Sequence, residues 1–130
     1  MSISAYRRRQ EAAEKPRELE RRAFSIVIGK LEGGKEAGGR RLIDACYLNY
    51  QLWSTLQADL VLQENALPVD LKARLISLSL WVQRYTPQVM RGSASPDPLI
   101  AVNRNILEGL SADPVAATTP AATIAQLGAV

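Results

Sequence analysis

The chain has 130 residues, of which 47% are apolar and 22% charged, and these ordinary proportions exclude wholesale disorder and fibrous repeats. Its formal charge of +3 is too small to indicate a nucleic-acid-binding protein by itself. Histidine is absent and Cys46 is the single cysteine, so the commonest general base and metal ligand are missing and no intramolecular disulfide can form. We therefore expect one small domain that is not an enzyme and holds neither a metal nor a cofactor.

The N-terminal residues lead directly into Arg7, Arg8 and Arg9, without an apolar stretch of signal-peptide length. The longest apolar runs are far shorter than the roughly 18 to 20 residues that cross a bilayer. The sequence therefore predicts a cytoplasmic protein with no membrane partner.

The first long helix is expected to begin at Pro16, since proline is favoured in a first helical turn. Gly33 and Gly34 are expected to end this helix, and the glycine-dense segment 33–39 is expected to form a mobile loop. Residues 5–15 are rich in helix formers but nearly lack large apolar side chains, which predicts a short additional helix in the basic segment 1–15.

From Arg40 a second helix is predicted, because apolar residues recur at helical spacing over about six turns. These residues are Leu42, Ile43, Cys46, Tyr47, Tyr50, Trp53, Leu56, Leu60 and Val61. After a break at residues 65–68, a third helix is indicated by Leu71, Leu75, Leu78, Val82, Tyr85 and Val89. Within it, Pro87 is expected to cause a kink or a restart with Thr86 as cap.

A fourth helix follows residues 92–96 and is indicated by Leu99, Ile100, Val102, Asn103, Ile106, Leu107 and Leu110, with Gly109 interrupting it before its end. Beyond it, the Ala, Thr and Pro content of residues 111–130 predicts a flexible tail. No segment shows sustained strand alternation. The expected fold is all-α: a small bundle of four main helices over residues 16–110.

No sequence-local group of residues forms a catalytic set. The glycine segment has Gly39-Arg40 where a phosphate-binding loop needs Lys and Ser or Thr, so a linker is the better interpretation. Cys46 lies among apolar residues, where a thiol behaves as a small hydrophobic side chain. Asp44 and Asp59 are about 22 Å apart along one helix and do not form a carboxylate pair.

The arginines near the N-terminus could contact phosphates, but glutamates alternate with them. Glu11, Glu14, Glu18 and Glu20 lie at helical-neighbour spacing, which favours a solvated, ion-paired helix face over nucleic-acid binding. Nucleic acid is therefore not the expected partner.

The second and third helices are apolar over more than one face, and this favours a partner-binding groove. Leu48, Leu52 and Leu56 lie off the main apolar row of one helix, and Ile76, Leu80 and Trp81 lie off that of the other. A bundle this small is not expected to bury all of them, although for most of the aromatic residues the core is the favoured location. The surplus predicts a groove for a partner's amphipathic helix.

Several segments resemble the FlaF family of flagellar biosynthesis regulators of alphaproteobacteria. They are residues 52–60, 65–68 leading into 71–82, and 99–110, together with Ala5-Tyr6 and residues 16–20. The resemblance covers about residues 5–110; it does not extend to residues 33–39, Pro87 or the tail.

The resemblance implies a cytoplasmic, non-enzymatic protein that acts on flagellin as a secretion chaperone or positive regulator, in concert with the flagellin regulator FlbT. It supplies no catalytic or ligand residues, so the predicted contacts come from the residue pattern. The predicted contacts with an amphipathic flagellin segment are Leu52, Trp53, Leu56, Leu80 and Trp81, with Arg84 and Arg104 as charges at the rim.

Two alternatives stay open at this stage. The chain could act on flagellin messenger RNA or through FlbT, with Arg7, Arg8 and Arg9 as the contacts. The apolar surplus could instead serve self-association.

Overall fold

The computed structural model describes residues 3–62 and 64–111, with side chains over residues 20–62 and 64–109. These ranges form four helices and contain no strand: α1 (Ile3–Ala37), α2 (Gly39–Leu60), α3 (Val69–Met90) and α4 (Asp97–Ser111). Helix α2 packs against both α1 and α3, and α4 packs against α1. The prediction of an all-α bundle of four main helices is confirmed.

One continuous core joins the four helices. It is built from apolar side chains spaced at threes and fours, as expected for amphipathic helices that each bury one face. The members that are no more than 2% exposed are Phe24, Leu31, Ala45, Cys46, Trp53, Leu60, Leu78, Val82, Val89 and Leu99. Phe24 and Trp53 meet edge to face, with ring centroids 5.8 Å apart.

Helix α1 is longer than predicted at both ends. It begins at Ile3 and passes through Pro16, so the prediction that residues 5–15 are helical is confirmed. These residues belong to the first long helix, however, and a start at Pro16 is wrong. The strong helix formers that precede Pro16 favour continuation, although proline removes one intrahelical hydrogen bond. The helix also continues through Gly33 and Gly34 to Ala37.

The reversal between α1 and α2 occupies a single residue outside the helices, so the predicted loop over residues 33–39 is wrong. Gly38 and Gly39 have φ angles of 67° and 54°, which only glycine adopts without strain in this setting. Gly34 is buried, and a Cβ placed on it would lie 2.8 Å from the Cα of Leu42. The glycines therefore provide a tight corner and a close helix contact.

Helix α3 runs without a break to Met90, so the predicted restart at Thr86 is wrong. The Thr86 hydroxyl is buried and donates a 2.6 Å hydrogen bond to the Val82 carbonyl, one turn earlier in the same helix. Pro87 lies in the last turn of α3, so the one intrahelical bond lost with its missing N–H is near the helix end. Helix α4 likewise passes through Gly109 to Ser111, and the remainder of the predicted tail, 112–130, lies outside the described residues.

Candidate partner-binding surface

Trp53 is a core residue, and this corrects the prediction that it contacts a partner. Its side chain is 0% exposed, and Nε1 donates a 2.8 Å hydrogen bond to Oδ1 of Asn103. Asn103 in turn donates from Nδ2 to Oδ1 of Asn49 at 2.7 Å. All three side chains are fully buried, so this chain of hydrogen bonds connects α2 to α4 and offers no surface to a partner.

Three other predicted contacts lie partly in the core. Leu52, Leu56 and Trp81 are half-buried and pack against the core cluster. Trp81 also stacks on Tyr85, with ring centroids 4.9 Å apart. Tyr85 donates a 2.7 Å hydrogen bond to the Ser95 carbonyl in the α3–α4 connection. Burial, with a smaller contribution from the negative charge of Asp97, raises the pKa of the Tyr85 hydroxyl.

The remaining three predicted contacts lie at the surface. Leu80 is 43% exposed, and Arg84, one turn further along α3, is exposed without an ion-pair partner among the described residues. Arg104 is also exposed, but its guanidinium forms an ion pair with Glu32 of α1. Arg104 therefore holds α4 on α1, and Arg84 is the better candidate for a rim charge.

The exposed apolar side chains lie mainly on α2, on α3 and in the turn between them. The large ones that are exposed are Ile26, Ile43, Tyr47, Leu48, Tyr50, Val61, Leu62, Leu67, Val69 and Leu80. Tyr47, Tyr50 and Val61 were predicted as part of the apolar row of the second helix. The width of that row could have distinguished these exposed residues from the buried ones, because the row is too wide for one buried face.

A side-chain hydrogen bond between Gln57 and Gln83 joins α2 to α3 and marks the side on which the two helices meet. Tyr50 lies seven residues before Gln57 on α2, and Val61 lies four residues after it, immediately beyond the end of α2 with helical backbone angles. Helical periodicity therefore places both on the side of Gln57. On α3, Ile76 and Leu80 lie seven and three residues before Gln83, so they too share the side of that glutamine. We call the surface formed by Tyr47, Tyr50, Val61, Ile76 and Leu80 the hairpin face.

The arginines of the alternative prediction, Arg7, Arg8 and Arg9, belong to α1, but their side chains lie outside the described part of the chain. In the described ranges, no group of three or more acidic, cysteine or histidine side chains is placed to hold a metal ion. None of the helices in those ranges combines the length and apolar content needed to cross a bilayer.

The single cysteine lies in the core. Cys46 is 0% exposed, and burial raises the pKa of its thiol to about 11. A thiol in this environment stays protonated at neutral pH and is a poor nucleophile. Cys46 thus functions as a packing residue.

Comparison with known families decides the identity of this bundle. Residues 2–110 match the family described as flagellar protein FlaF. The chain belongs to the FlaF family. No curated protein and no solved structure matches it.

FlaF membership confirms the resemblance inferred from the residue pattern and makes this a flagellar protein. The matched range contains all four helices apart from the last residue of α4. The hairpin face, the Trp53–Asn103 contact and the α1–α2 corner are therefore all features of the FlaF-matching part of the chain.

Proposed function

We propose that this FlaF-family protein binds an amphipathic helical segment of flagellin on the hairpin face and keeps the segment from polymerising until export. In this proposal it acts in the cytoplasm as a chaperone and positive regulator, by binding and not by catalysis. The observation that carries the proposal is the exposure of apolar side chains on two adjacent helices and on the residue that caps the first of them. Tyr47 is 56% exposed, Val61 63% and Leu80 43%.

The hairpin face suits a helix as its ligand. An amphipathic helix laid along two adjacent helices buries its apolar positions against both of them, as in helix-in-groove recognition. Tyrosine is favoured at such interfaces because its ring gives a large contact area while its hydroxyl remains hydrated. The exposed hydroxyl-bearing rings of Tyr47 and Tyr50 fit this use.

Charge supplies orientation at the edge of the hairpin face. Arg84 follows Leu80 by one helical turn and is exposed, so an acidic side chain of the bound helix could reach it. A pair of this kind at a solvated rim adds less than about 1 kcal/mol and mainly fixes register.

Calorimetric titration of monomeric flagellin into the full chain tests the proposal. We expect micromolar binding, equivalent to about −8 kcal/mol. Leu80→Ser should weaken it about tenfold or more, because an apolar contact is lost from the centre of the interface. Leu48→Ser is the matched control: Leu48 is 40% exposed, but it lies on the opposite side of α2 from Tyr50.

Equal weakening by both variants, or no binding by the unmodified chain, would refute this function. Flagellins truncated at either terminus then identify the bound segment. If RNA or FlbT is the partner instead, the chain should bind that molecule, and replacing Arg7, Arg8 and Arg9 by Ala should abolish this binding. For RNA, affinity would also fall steeply with salt.

A further inference from the structure

An apolar stripe runs along one side of α3 from Val69 to Leu80 and resumes at Pro87, beyond Gln83. It consists of Val69, Ala73, Ile76, Leu80 and Pro87, which we call the outer stripe. Val69 is 79% exposed and Leu80 is 43% exposed; Ala73 and Pro87 are exposed and Ile76 is half-buried. The separations of four, three, four and seven residues keep all five on one side of the helix.

Two opposite charges flank the outer stripe on the same edge. Asp70 lies in the first turn of α3 and Arg84 in its second half. Their separation of 14 residues is close to four helical turns, which puts the two side chains on one edge about 21 Å apart. Both are exposed, and neither has an ion-pair partner among the described side chains.

We propose that the outer stripe is the interface between two copies of this chain, with the two α3 helices antiparallel about a two-fold axis near Ser77. In an antiparallel two-fold pair, the same edge of each stripe meets the same edge of its partner. An axis at Ser77, midway between residues 70 and 84, places Asp70 of each copy beside Arg84 of the other. The contact is therefore self-complementary.

The apolar residues agree with this axis. Val69 and Pro87 are centred on residue 78, and Ala73 and Leu80 are centred between residues 76 and 77. The centres of the charged pair and of the two apolar pairs differ by at most about 2 Å along the helix, so one axis near Ser77 brings the charged edges together and the apolar stripes into contact. A partner of unrelated sequence would not require this internal symmetry, and for this reason a second copy is the occupant that the charge pattern fits.

Self-association through the outer stripe would affect flagellin binding, but the dimer proposal does not depend on flagellin being bound. Ile76 and Leu80 belong to both the outer stripe and the hairpin face. A dimer therefore covers part of the surface proposed for flagellin, and the two associations compete. The chain would then protect its own apolar surface when flagellin is scarce.

Sedimentation velocity of the full chain without flagellin tests the dimer over roughly 1 to 200 µM, a range suited to weak association. We expect a mass that rises from one copy to two. Arg84→Asp should weaken the dimer about tenfold, because two like-charged pairs replace two opposite-charged ones. Adding Asp70→Arg to that variant should restore it, since the charges are then exchanged.

Arg40→Asp is the matched control, because it makes the same charge change at an exposed arginine on α2, away from the outer stripe and from the charged edge beside it. It should leave the dimer constant unchanged, and circular dichroism should show each variant to be folded. A single-copy mass at every concentration would overturn the proposal. So would a double variant that stays as weak as Arg84→Asp alone. Neither result depends on whether flagellin binds.

Discussion

Trp53 of α2 and Asn103 of α4 lie 50 residues apart in the chain and are joined by a 2.8 Å hydrogen bond from the indole Nε1 to the amide Oδ1. Because Asn103 also donates to Asn49, one side chain satisfies polar groups on two positions of α2. The network is not complete, since Asn49 Nδ2 has no hydrogen-bond partner among the described residues. A buried polar group of this kind favours one arrangement of α4 over others.

Replacing Asn103 by Ala should destabilise the fold by about 2 to 4 kcal/mol. The variant leaves the Trp53 N–H and the Asn49 carbonyl oxygen buried without partners and creates a cavity. Urea unfolding followed by fluorescence measures the loss, in a Trp81→Phe background that leaves Trp53 as the only tryptophan. Asn105→Ala, at a half-buried position of the same helix, should cost less than about 1 kcal/mol; a similar cost at both positions would contradict the network.

Gly34→Ala should destabilise the fold by about 1 to 3 kcal/mol, because its Cβ would overlap a backbone that cannot move freely. That Cβ would lie 2.8 Å from the Leu42 Cα and 3.1 Å from the Arg41 carbonyl oxygen. Gly29→Ala serves as the control in the same helix, since a Cβ there meets nothing within 4 Å. It should stabilise the fold by about 0.5 to 1 kcal/mol, so thermal unfolding should shift in opposite directions for the two variants.

The periodic part of the fold was predictable, because a helix that buries one face must repeat its apolar residues at threes and fours. This signal located α2, α3 and α4 closely. It failed at Pro16 and at Gly33-Gly34, where local preferences favour helix ends. There the close approach of Gly34 to Leu42 shows that glycine serves packing between helices, and this depends on a neighbour that periodicity does not identify.

The candidate surface was predictable only in part, because exposure depends on which helices are neighbours. Trp53 and Trp81 have similar apolar surroundings in the sequence, yet Trp53 is fully buried and Trp81 half-buried. The difference comes from α4, which supplies Asn103 as the acceptor for Trp53. Leu80 was correctly singled out as lying off the main apolar row of its helix.

Cys46 should resist thiol reagents in the folded protein. Burial raises the pKa of its thiol to about 11, so at pH 8 only about one molecule in a thousand carries the thiolate, and the side chain is 0% exposed. Labelling with a chromogenic disulfide reagent should be slow without denaturant and complete within minutes in 6 M guanidinium, a concentration at which most small domains unfold. Fast labelling of the native protein would show that the core around Cys46 opens readily.

The ion pair between Lys35 of α1 and Asp97 of α4 should make stability fall in acid. The Nζ–Oδ1 distance is 2.7 Å, and the hydrogen bond from Lys35 lowers the pKa of the Asp97 carboxyl from its ordinary 3.8. A lowered folded-state pKa means that the contribution is present above pH 3.8 and is lost as the pH falls through the lower folded value. Because both side chains are more than half exposed, the effect should be small and should decrease with salt.

Asp97→Asn should remove this part of the pH dependence, so the difference in unfolding midpoint between the variant and the unmodified chain should narrow as the pH falls below 3.8. Urea unfolding between pH 7 and pH 2.5 measures it. Asp44→Asn is the control, since Asp44 is exposed on α2 and has no ion-pair partner among the described residues. A difference for Asp97→Asn that stays constant down to the lowest pH would show that the carboxylate's charge does not stabilise the contact between α1 and α4.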